Sequence, residues 1–501
     1  MNLVCALSDL ARSDPTALAL VLGERRMTRD ELDAAVRTAA AGLARLGLGA
    51  GSVAAVVPAA DRMLHAVLVL ALARSGIAHL PLRAAETPGR AAALARAAGA
   101  TMLIADRASA ELPLPYVPAD PDWLRRATPD AGPAIAEAAD RPWIIAQSSG
   151  STGRPKAIPV THAMEIARSR RDRQAFQHHP GERFLTLIEA GFYNSTSAMV
   201  RCLTQGGTVV LDHAFRSLGD LIDTARRHAV RFLQMTPSHL FALVEVLPDG
   251  APALPDLRVL RISSAALPRR MHDLARRRLA DCVHLTYGTN EAGTLAVAGP
   301  DLLAREPATV GQPLDGIAFE VVDGEDRAVA AGQPGFVRVR GPGVMPAYLD
   351  DPEATWQHCR NGWFYPGDIA TRSAEGLVQL KGRSDRVLNI GGVLTGAEEI
   401  EALLASHPCV AEAAVVPLPS ERFDVVPAIA VVLRAPVPLS ELAAQVRASL
   451  RGFPVAIVPV PALPRNPMGK TDYPALTRMV ARLATGDQAE ASSGNSDRSR
   501  S

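Results

Sequence analysis

The sequence predicts an α/β protein with a large N-terminal domain and a small C-terminal domain. Before Val310, short apolar runs alternate with segments whose apolar residues recur at helical spacing. Buried strands that alternate with helices indicate layered α/β subdomains. From Val310 onward, polar and apolar residues alternate between Gly and Pro turns, which predicts a small β subdomain. Further strand and helix patterns after Asp385 predict a compact α+β C-terminal domain.

The N-terminal domain opens with local helix and strand signals. Thr28 and Glu31 have the spacing of a capping box, in which two side chains satisfy backbone N–H groups at a helix start. Apolar residues at helical spacing follow as far as Leu46, and Gly47 ends that helix. A second helix is predicted at residues 63–73. Strands are predicted at residues 53–57, 102–105, 184–188, 209–211, 232–235, 259–262 and 283–287.

The remaining predicted elements belong to the β subdomain and to the C-terminal domain. The strands of the β subdomain are predicted at residues 319–322, 335–340 and 377–381. The C-terminal elements are predicted as helices at 397–406 and 439–450 and strands at 411–416 and 428–433. The last residues, 486–501, contain almost nothing apolar, so this segment is expected to be disordered.

Composition argues against several classes of function. The 501 residues are 48% hydrophobic and carry 53 Lys and Arg against 52 Asp and Glu. A net charge of +1 provides no global field for nucleic acid or for an acidic membrane surface. The five cysteines are scattered without a Cys-x-x-Cys pair, which indicates neither a disulfide framework nor a zinc site. Asp9 and Arg12 stand near the start of the chain, where a signal peptide would be apolar, and the longest apolar segment, 66–73, is too short to span a bilayer. We therefore expect a cytoplasmic protein without a membrane span, and the sequence gives no indication of its oligomeric state.

Residues 147–162, QSSGSTGRPKAIPVTH, form the most informative segment of the chain. Small residues let a backbone approach a ligand closely, and their N–H groups and hydroxyls can surround an anion, to which Lys156 adds a compact positive charge. An apolar strand at 143–146 leads into this segment, as expected for a ligand loop of an α/β protein. The spacing is not that of the Walker loop, because two residues separate Gly153 from Lys156. A flexible surface turn is the alternative. The predicted polyphosphate-binding residues are Ser148, Ser149, Gly150, Ser151, Thr152, Gly153 and Lys156.

Four further motifs follow in order along the chain. They are YGTNE at 287–291, GWFYPGD at 362–368, GRSD at 382–385 and PRNPMGK at 464–470. Each alone is a common turn sequence, but together with segment 147–162 they form a specific series. The series resembles the adenylate-forming (AMP-binding) superfamily, which contains acyl-CoA synthetases, nonribosomal peptide adenylation domains and luciferases. The resemblance covers nearly the whole chain, from about residue 5 to residue 476.

The resemblance implies an ATP-dependent, AMP-forming acid–thiol ligase. Such an enzyme joins a carboxylic acid to AMP as an acyl-adenylate and then passes the acyl group to a thiol. By this resemblance the loop at 148–156 holds the β- and γ-phosphates, Glu291 holds Mg²⁺, and Lys470 is the catalytic residue that neutralises developing charge. The other implied nucleotide-binding residues are Tyr287, Gly288, Asn290, Asp368 and Arg383, of which Tyr287 packs on the adenine and the last two contact the ribose hydroxyls.

The resemblance also implies how the chain divides into domains. An N-terminal AMP-binding domain is expected at 1–382 and a hinge at 383–386, centred on Asp385. A mobile C-terminal domain carrying Lys470 is expected at 387–478, followed by a disordered tail at 479–501. Rotation about the hinge would exchange an adenylation site for a thioester-forming site.

Three positions depart from the usual pattern of the family. Asn290 stands where threonine is usual, and its amide can still donate to a phosphate oxygen. Pro366 replaces a threonine but leaves the carboxylate of Asp368 in place. Leu394 occupies a position where many members carry Lys, Arg or Gln, and this substitution weakens the case for CoA as the thiol.

The substrate and the acceptor are the less constrained parts of the prediction. Segment 190–195 contains no acid that could pair with an α-ammonium group, so a carboxylic acid without an α-amino group is expected. The acceptor is coenzyme A or, alternatively, the phosphopantetheine arm of a carrier protein that acts in trans. A degenerate member that binds nucleotide without turnover is the alternative from another class, and the retained Lys470, Glu291 and Asp368 argue against it. The candidate pocket residues are Phe192, Asn194, Ser263 and Ser264, with Gln234, Met235 and Leu285 as further candidates.

Overall fold

The structure, a computed structural model, has an N-terminal domain of two large sheets with a smaller β sheet, and a separate C-terminal domain. It describes residues 1–83, 86–108, 112–124, 133–147, 156–211, 217–263, 267, 269–390, 393–420, 424–450, 453–466 and 470–493. The predicted α/β class and the division into a large and a small domain are confirmed.

Residues 1–161 form a six-stranded sheet with its helices, together with two strands of a second sheet. The elements are α1 (Cys5–Ser13), β1 (Leu18–Leu22), β2 (Arg25–Thr28), α2 (Arg29–Arg45), β3 (Val53–Val56), α3 (Arg62–Arg74), β4 (Ala78–Pro81), α4 (Pro88–Ala97), β5 (Met102–Ala105), β6 (Tyr116–Pro118), β7 (Pro142–Gln147) and β8 (Ala157–Thr161). The sheet runs β6–β5–β3–β4–β7–β8, and only the β7–β8 pair is antiparallel. The predicted capping box is present at α2, where Thr28 and Glu31 bond to each other's backbone N–H groups.

Residues 162–313 complete a nine-stranded sheet. The elements are α5 (His162–Phe176), β9 (Arg183–Thr186), α6 (Tyr193–Thr204), β10 (Thr208–Val210), α7 (Leu218–Arg227), β11 (Phe232–Met235), α8 (Pro237–Val246), β12 (Val259–Ser263), α9 (Arg269–Arg278), β13 (Val283–Thr289), β14 (Gly293–Ala298), α10 (Pro300–Arg305) and β15 (Gln312–Pro313). The order is β15–β14–β13–β12–β11–β9–β10–β1–β2. The strands from β13 to β1 are parallel, and antiparallel strands lie at both edges.

Helix α3 lies between the two large sheets. Its residues from Met63 to Arg74 are all buried, and the helix contacts β1 of one sheet and β4 and β7 of the other. A helix that is apolar all round is stable only where every face is covered. The layered order of sheet, helix and sheet follows from this burial. No helix in the described ranges combines the length and the apolar character needed to cross a membrane.

The β subdomain and the C-terminal domain follow in sequence. Their elements are β16 (Ala318–Val322), β17 (Gly335–Arg340), α11 (Pro352–His358), β18 (Cys359–Arg360), β19 (Trp363–Phe364), β20 (Asp368–Arg372), β21 (Val378–Arg383), β22 (Val387–Ile390), β23 (Val393–Gly396), α12 (Ala397–Ala405), β24 (Val410–Ser420), β25 (Asp424–Leu433), α13 (Leu439–Ser449), β26 (Ala456–Pro459) and α14 (Tyr473–Ser493). A short 3₁₀ turn, Ser384–Arg386, connects the two parts.

The C-terminal sheet β24–β25–β26 has an apolar core on each face, because side chains alternate along its strands. Val415 and Ile429 point toward α12 and α13 on one face. Val416 and Ala428 point toward α14 on the other, where Leu476 and Val480 are fully buried. Helix α14 therefore belongs to the core of this domain.

The tail differs from the prediction of disorder at 479–501. Helix α14 continues through this segment as far as Ser493, and residues 494–501 lie outside the described part of the chain. The apolar residues Leu476, Met479, Val480 and Leu483 recur at helical spacing, and the Ala, Glu and Gln that follow favour helix. The polar composition that suggests disorder is therefore also compatible with a helix.

We expect Leu476→Ala to lower the free energy of unfolding of the C-terminal domain by about 2–4 kcal/mol, because it leaves a cavity at a fully buried site. Leu483→Ala is the matched control, since Leu483 lies on the same helix but is 46% exposed, and its effect should stay within about 0.5 kcal/mol. Urea unfolding with hydrogen exchange of the C-terminal amides measures both. Equal effects of the two variants would mean that α14 is not docked as described.

Candidate active site

Asp368 accepts hydrogen bonds from two other predicted site residues, Tyr287 and Arg383. It begins β20 and is paired in register with Arg383 at the end of β21. The hydroxyl of Tyr287, near the end of β13, donates to Asp368 Oδ2 at 2.5 Å, and Arg383 Nη1 donates to Asp368 Oδ1 at 3.2 Å. Burial and the neighbouring Asp368 charge raise the pKa of Tyr287 well above its usual value, so its hydroxyl stays a donor. Gly367, with φ +81°, leaves room for the guanidinium, which lies 3.1 Å from where a Cβ would be.

Lys470 reaches this group from the C-terminal domain. Burial lowers its pKa, the charge of Arg383 lowers it further, and Asp368 acts in the opposite direction. The charges of Arg383 and Asp368 thus act on the Lys470 ammonium, although these residues belong to different parts of the chain. The loop that carries Lys470 is closed on itself, since Asn466 accepts from the Lys470 N–H at 3.1 Å and donates its own backbone N–H to the Lys470 carbonyl at 2.7 Å.

Glu291 and Asn290 form a second group, next to β7, the strand that leads into the predicted polyphosphate loop. Glu291 is buried, and its Oε1 accepts from the hydroxyl of Tyr348 at 3.1 Å. Asn290 Nδ2 donates to the carbonyl of Gln147, the last residue of β7, at 2.7 Å. The Asn290 amide, expected to face a phosphate, therefore also ties the Glu291 segment to the start of the polyphosphate loop.

Lys156 adjoins this second group. Its Nζ lies 2.9 Å from His358 Nε2 and 5.2 Å from the centre of the Tyr348 ring. His358 Nδ1 lies 3.0 Å from the Tyr365 carbonyl, which can only accept, so Nδ1 carries the proton and Nε2 accepts from the lysine. The ammonium is thus held over Tyr348 by a neutral histidine.

The residues around the candidate acyl pocket lie at α6 and at the ends of β11 and β12. Asn194 Oδ1 accepts from Gln234 Nε2 at 3.1 Å, and Phe192 lies under the Arg83 guanidinium, whose carbon is 5.5 Å from the ring centre. Ser263 is buried at the end of β12. Within the described residues, Ser263 Oγ and Gln234 Oε1 are buried polar atoms without a hydrogen-bond partner. Such atoms suit a pocket whose ligand carries polar groups.

The remaining predicted residues divide into two sets. Gly288 lies in β13 at a register shift, and a Cβ there would be 2.3 Å from the Gly293 carbonyl, so packing alone requires glycine. The backbone of Asp385 lies in the 3₁₀ turn between the domains. Outside the described residues, or with undescribed side chains, lie Ser148, Ser149, Gly150, Ser151, Thr152, Gly153 and Ser264, and the side chains of Asp385 and Leu394.

Three residues that contact the site were absent from the sequence-based prediction. Tyr348, His358 and Arg83 each touch a predicted residue that is distant in the chain. Lys156 and His358, for example, are 202 positions apart. None of the three belongs to one of the five motifs, so no local pattern marked them.

The site fits a magnesium ion that is shared with a nucleotide. In the described ranges no cluster of three or more His, Cys, Asp or Glu could hold a metal. Mg²⁺ is commonly held by one or two carboxylates together with substrate phosphates and water. The single buried carboxylate of Glu291, oriented by Tyr348, meets that requirement.

Comparisons with known proteins show the family of the chain. A family model described as AMP-binding enzyme matches residues 7–349, and one described as AMP-binding enzyme C-terminal domain matches residues 399–470. The chain is 30% identical to a methyl-dioxo-octahydroindenyl-propanoyl:CoA ligase of Mycobacterium tuberculosis, over 95% of this chain and 98% of that protein. It is 29% identical to novobiocin biosynthesis protein H of Streptomyces niveus, over 93% of this chain and 80% of that protein.

A solved structure shows the same fold. The o-succinylbenzoate CoA synthetase of Bacillus subtilis, in complex with its acyl-adenylate intermediate, has a TM-score of 0.85 at 22% identity, over 94% of this chain and 97% of that one. The first family model covers more than half of the present chain, and the second covers the part that carries Lys470. The chain therefore belongs to the AMP-binding enzyme family.

Proposed function

We propose that the chain is an ATP- and Mg²⁺-dependent acid–thiol ligase that forms an acyl-adenylate and then an acyl thioester. The observation that carries the proposal is that the charges of Asp368, in the N-terminal domain, and of Arg383, at the hinge, act on Lys470 of the C-terminal domain, while Arg383 itself bonds Asp368. A lysine at a domain interface, beside a carboxylate and a guanidinium, suits a reaction in which two anions have to approach each other. That reaction is the attack of a carboxylate on the α-phosphorus of ATP.

In the adenylation step, a substrate carboxylate oxygen forms a bond to the α-phosphorus, and the bond to the β-phosphate oxygen breaks. Pyrophosphate leaves with the electron pair of that bond. Asp368 would accept from the ribose hydroxyls and Arg383 would donate to them, while Tyr287 would pack on the adenine. Lys470 would neutralise the charge that develops between the carboxylate and the α-phosphate.

At the phosphate end, Lys156 and the loop beginning at Ser148 would hold the β- and γ-phosphates. Glu291 would hold Mg²⁺, which supplies charge neutralisation on the phosphates. The placement of Asn290 against Gln147 supports this role, because it fixes the Glu291 segment next to the loop. The neutral tautomer of His358 supports it as well, because it leaves the positive charge on Lys156.

The proposed acid lacks an α-amino group. A substrate with an α-ammonium group would need an acidic residue in segment 190–195 of the protein. That segment contains Tyr193 instead, whose hydroxyl is hydrogen-bonded to Arg168 and Glu165. The buried polar atoms of Gln234 and Ser263 support an acid with polar groups over a plain hydrocarbon chain.

Coenzyme A is the proposed acceptor. Relatives named as CoA ligases support it, among them the Mycobacterium tuberculosis enzyme and an indoleacetate–CoA ligase of Aromatoleum aromaticum. A carrier protein that acts in trans is the alternative, and the absence of a cation at Leu394 favours it. We further propose a cytoplasmic location, which fits five cysteines in the thiol form.

We propose the domain limits already inferred from the motifs: an N-terminal domain at 1–382, a hinge at 383–386 and a C-terminal domain from 387. The 3₁₀ turn Ser384–Arg386 between β21 and β22 supports the position of the hinge. Helix α14 extends the C-terminal domain beyond residue 478.

We expect carboxylate-dependent ATP–pyrophosphate exchange with at least one acid of a panel of aryl, short-chain and long-chain acids. Thioester trapping with CoA, and in parallel with a holo carrier protein, then identifies the acceptor. Nucleotide binding without exchange for any acid would point instead to the degenerate, non-catalytic alternative.

Lys470→Ala should lower the exchange rate by about 10²- to 10³-fold, because a charge aimed at the transition state is removed. The chain contains only three lysines, Lys156, Lys381 and Lys470. Lys381→Ala is therefore the matched control, and it should retain exchange. A Lys470→Ala enzyme that exchanges at the rate of the control would rule out the proposed role of this residue.

The lowered pKa of Lys470 predicts an alkaline limit to activity. Catalysis needs the ammonium form, so kcat/KM should fall as pH rises through a pKa that lies below the usual 10.4 or so of lysine. Reductive ¹³C-methylation followed by NMR titration measures this pKa directly, since only three lysine signals occur and Lys470→Arg removes one of them. A Lys470 signal that titrates at or above the usual lysine value would contradict the burial described here.

A further inference from the structure

A cluster of buried charges lies beside the site, between α5, α6 and β12. Glu165 and Asp172 are its carboxylates, and both bind Arg201, at 2.5 and 2.6 Å. Asp172 also accepts from Arg261 at 3.2 Å. Both carboxylates thus have an arginine counter-charge other than Arg168, although Arg168 is 1% exposed and lies in the same cluster. The described arginines of the cluster are Arg168, Arg171, Arg201 and Arg261.

The guanidinium of Arg168 donates hydrogen bonds to three backbone carbonyls. Nη2 donates to the carbonyl of Glu291 at 2.6 Å, Nη1 donates to that of Asn290 at 3.1 Å, and Nε donates to that of Gly343 at 2.7 Å. Nη1 also donates to the hydroxyl of Tyr193, the first residue of α6, at 2.6 Å. One planar group therefore holds three chain segments that are far apart in sequence.

Two glycines make room for this side chain. Gly293 and Gly343 have φ values of +72° and +85°, and a Cβ at either position would lie 3.0 Å from the Arg168 stem. Residues with side chains are strained at such φ values and would crowd the arginine. The backbone around Arg168 is therefore shaped to accept it.

The segments that Arg168 holds are those that set the position of the Glu291 carboxylate. The Asn290–Glu291 backbone carries the carboxylate itself. The segment that begins at Gly343 leads to Met345, whose N–H donates to the Glu291 carbonyl at 2.9 Å, and to Tyr348, which donates to Glu291 Oε1. Displacement of either segment would move the carboxylate relative to Gln147 and the polyphosphate loop.

We propose that Arg168 is a positioning residue for the magnesium–nucleotide site, through its grip on the Asn290–Glu291 and Gly343 segments. This inference rests on the proposed function, because it assigns Glu291 to the metal. Since Glu165 and Asp172 keep their arginine partners, loss of Arg168 would leave neither carboxylate of the cluster without a counter-charge. The loss would fall on the carbonyls of Asn290, Glu291 and Gly343 and on the hydroxyl of Tyr193, which keeps its bonds to Glu165 and Arg201.

The test uses two variants of the full chain. Arg168→Met removes the charge and the donors but keeps an unbranched apolar stem. Arg168→Lys keeps the charge, but an ammonium cannot reproduce a planar fork that reaches three carbonyls. Arg258→Met is the matched control, because Arg258 is a partly buried arginine that bonds Glu182 and the Phe176 carbonyl, outside the proposed site.

The readout is ATP binding by calorimetry, with a Mg²⁺ titration and with EDTA, in the absence of any acid. Removal of groups that orient a metal ligand typically weakens metal binding about 10- to 100-fold. We expect both Arg168 variants to need about 10-fold or more Mg²⁺ than the wild type to reach half of the full gain in ATP affinity. In EDTA, where no Mg²⁺ is free, the ATP affinity of the variants should differ less from that of the wild type. Arg258→Met should leave the Mg²⁺ requirement unchanged.

Two results would overturn the proposal. One is an Arg168→Lys protein whose Mg²⁺ requirement matches that of the wild type and of Arg258→Met. The other is a loss of ATP affinity that is equal with Mg²⁺ and with EDTA, which would mean that Arg168 only supports the fold. The binding test needs no acid, so it is independent of the exchange assay. A wild-type chain that binds Mg·ATP but shows no exchange with any acid of the panel would count against the proposed ligase activity, and the comparison of the variants would still decide the role of Arg168. A wild-type chain that does not bind ATP would refute both.

Discussion

Asp368 accepts hydrogen bonds from Tyr287 and Arg383, so one buried carboxylate joins a strand of the nine-stranded sheet to the last strand before the C-terminal domain. A carboxylate placed away from water is tolerated only where cations and donors compensate it. Here those partners come from three separate parts of the chain, since the charge of Lys470 also acts on this group. Charges from both domains therefore act on one carboxylate at the point where the nucleotide is proposed to bind.

The charges around Asp368 also make the position of Lys470 costly when no nucleotide is bound. Arg383 and Lys470 are both positive, and burial and Arg383 lower the pKa of Lys470. In the absence of a ligand, bringing the C-terminal domain to this position therefore has a cost in charge desolvation and repulsion. A nucleotide phosphate would offset that cost, so under the proposed domain rotation the position of Lys470 would be favoured with ATP bound and less favoured once pyrophosphate has left.

Local signals in the sequence were sufficient for most of the fold. The capping box at Thr28 and Glu31, the strands at Phe232–Met235 and Gly335–Arg340, and the α+β character of the C-terminal domain all follow from patterns within a few residues. Helix α14 was missed at its end because the composition after Gly486 is polar, and composition alone does not separate an exposed helix from a disordered tail.

The site was predictable where motifs carried it and not where it depends on packing. Tyr287, Asp368, Arg383 and Lys470 were identified from their motifs, and the structure brings them together. His358 and Arg168 were not, because each acts on a motif residue from more than 100 positions away. Their roles come from the way β7, β13 and α5 meet, and no short window of sequence contains that information.

Arginine and lysine have different roles in this site. Arginines bind fixed acceptors within the protein, and lysines stand where the proposed acceptors are the phosphates of a ligand. With only three lysines among 53 basic residues, the chain relies on arginine wherever a cation is buried for structural reasons, as in the cluster around Arg168. A planar guanidinium with five donors suits several fixed acceptors, whereas an ammonium is a compact charge on a flexible stem. Lys156 and Lys470 occupy the two positions at which the acceptors would be phosphates that arrive, change charge and leave. An arginine at position 470 would keep its charge at every pH, and the lowered pKa of Lys470 indicates that its surroundings in the protein carry this charge less stably than water does. In the proposed domain rotation, that instability would favour departure of the C-terminal domain once pyrophosphate has left, and a residue that remained firmly paired would oppose it.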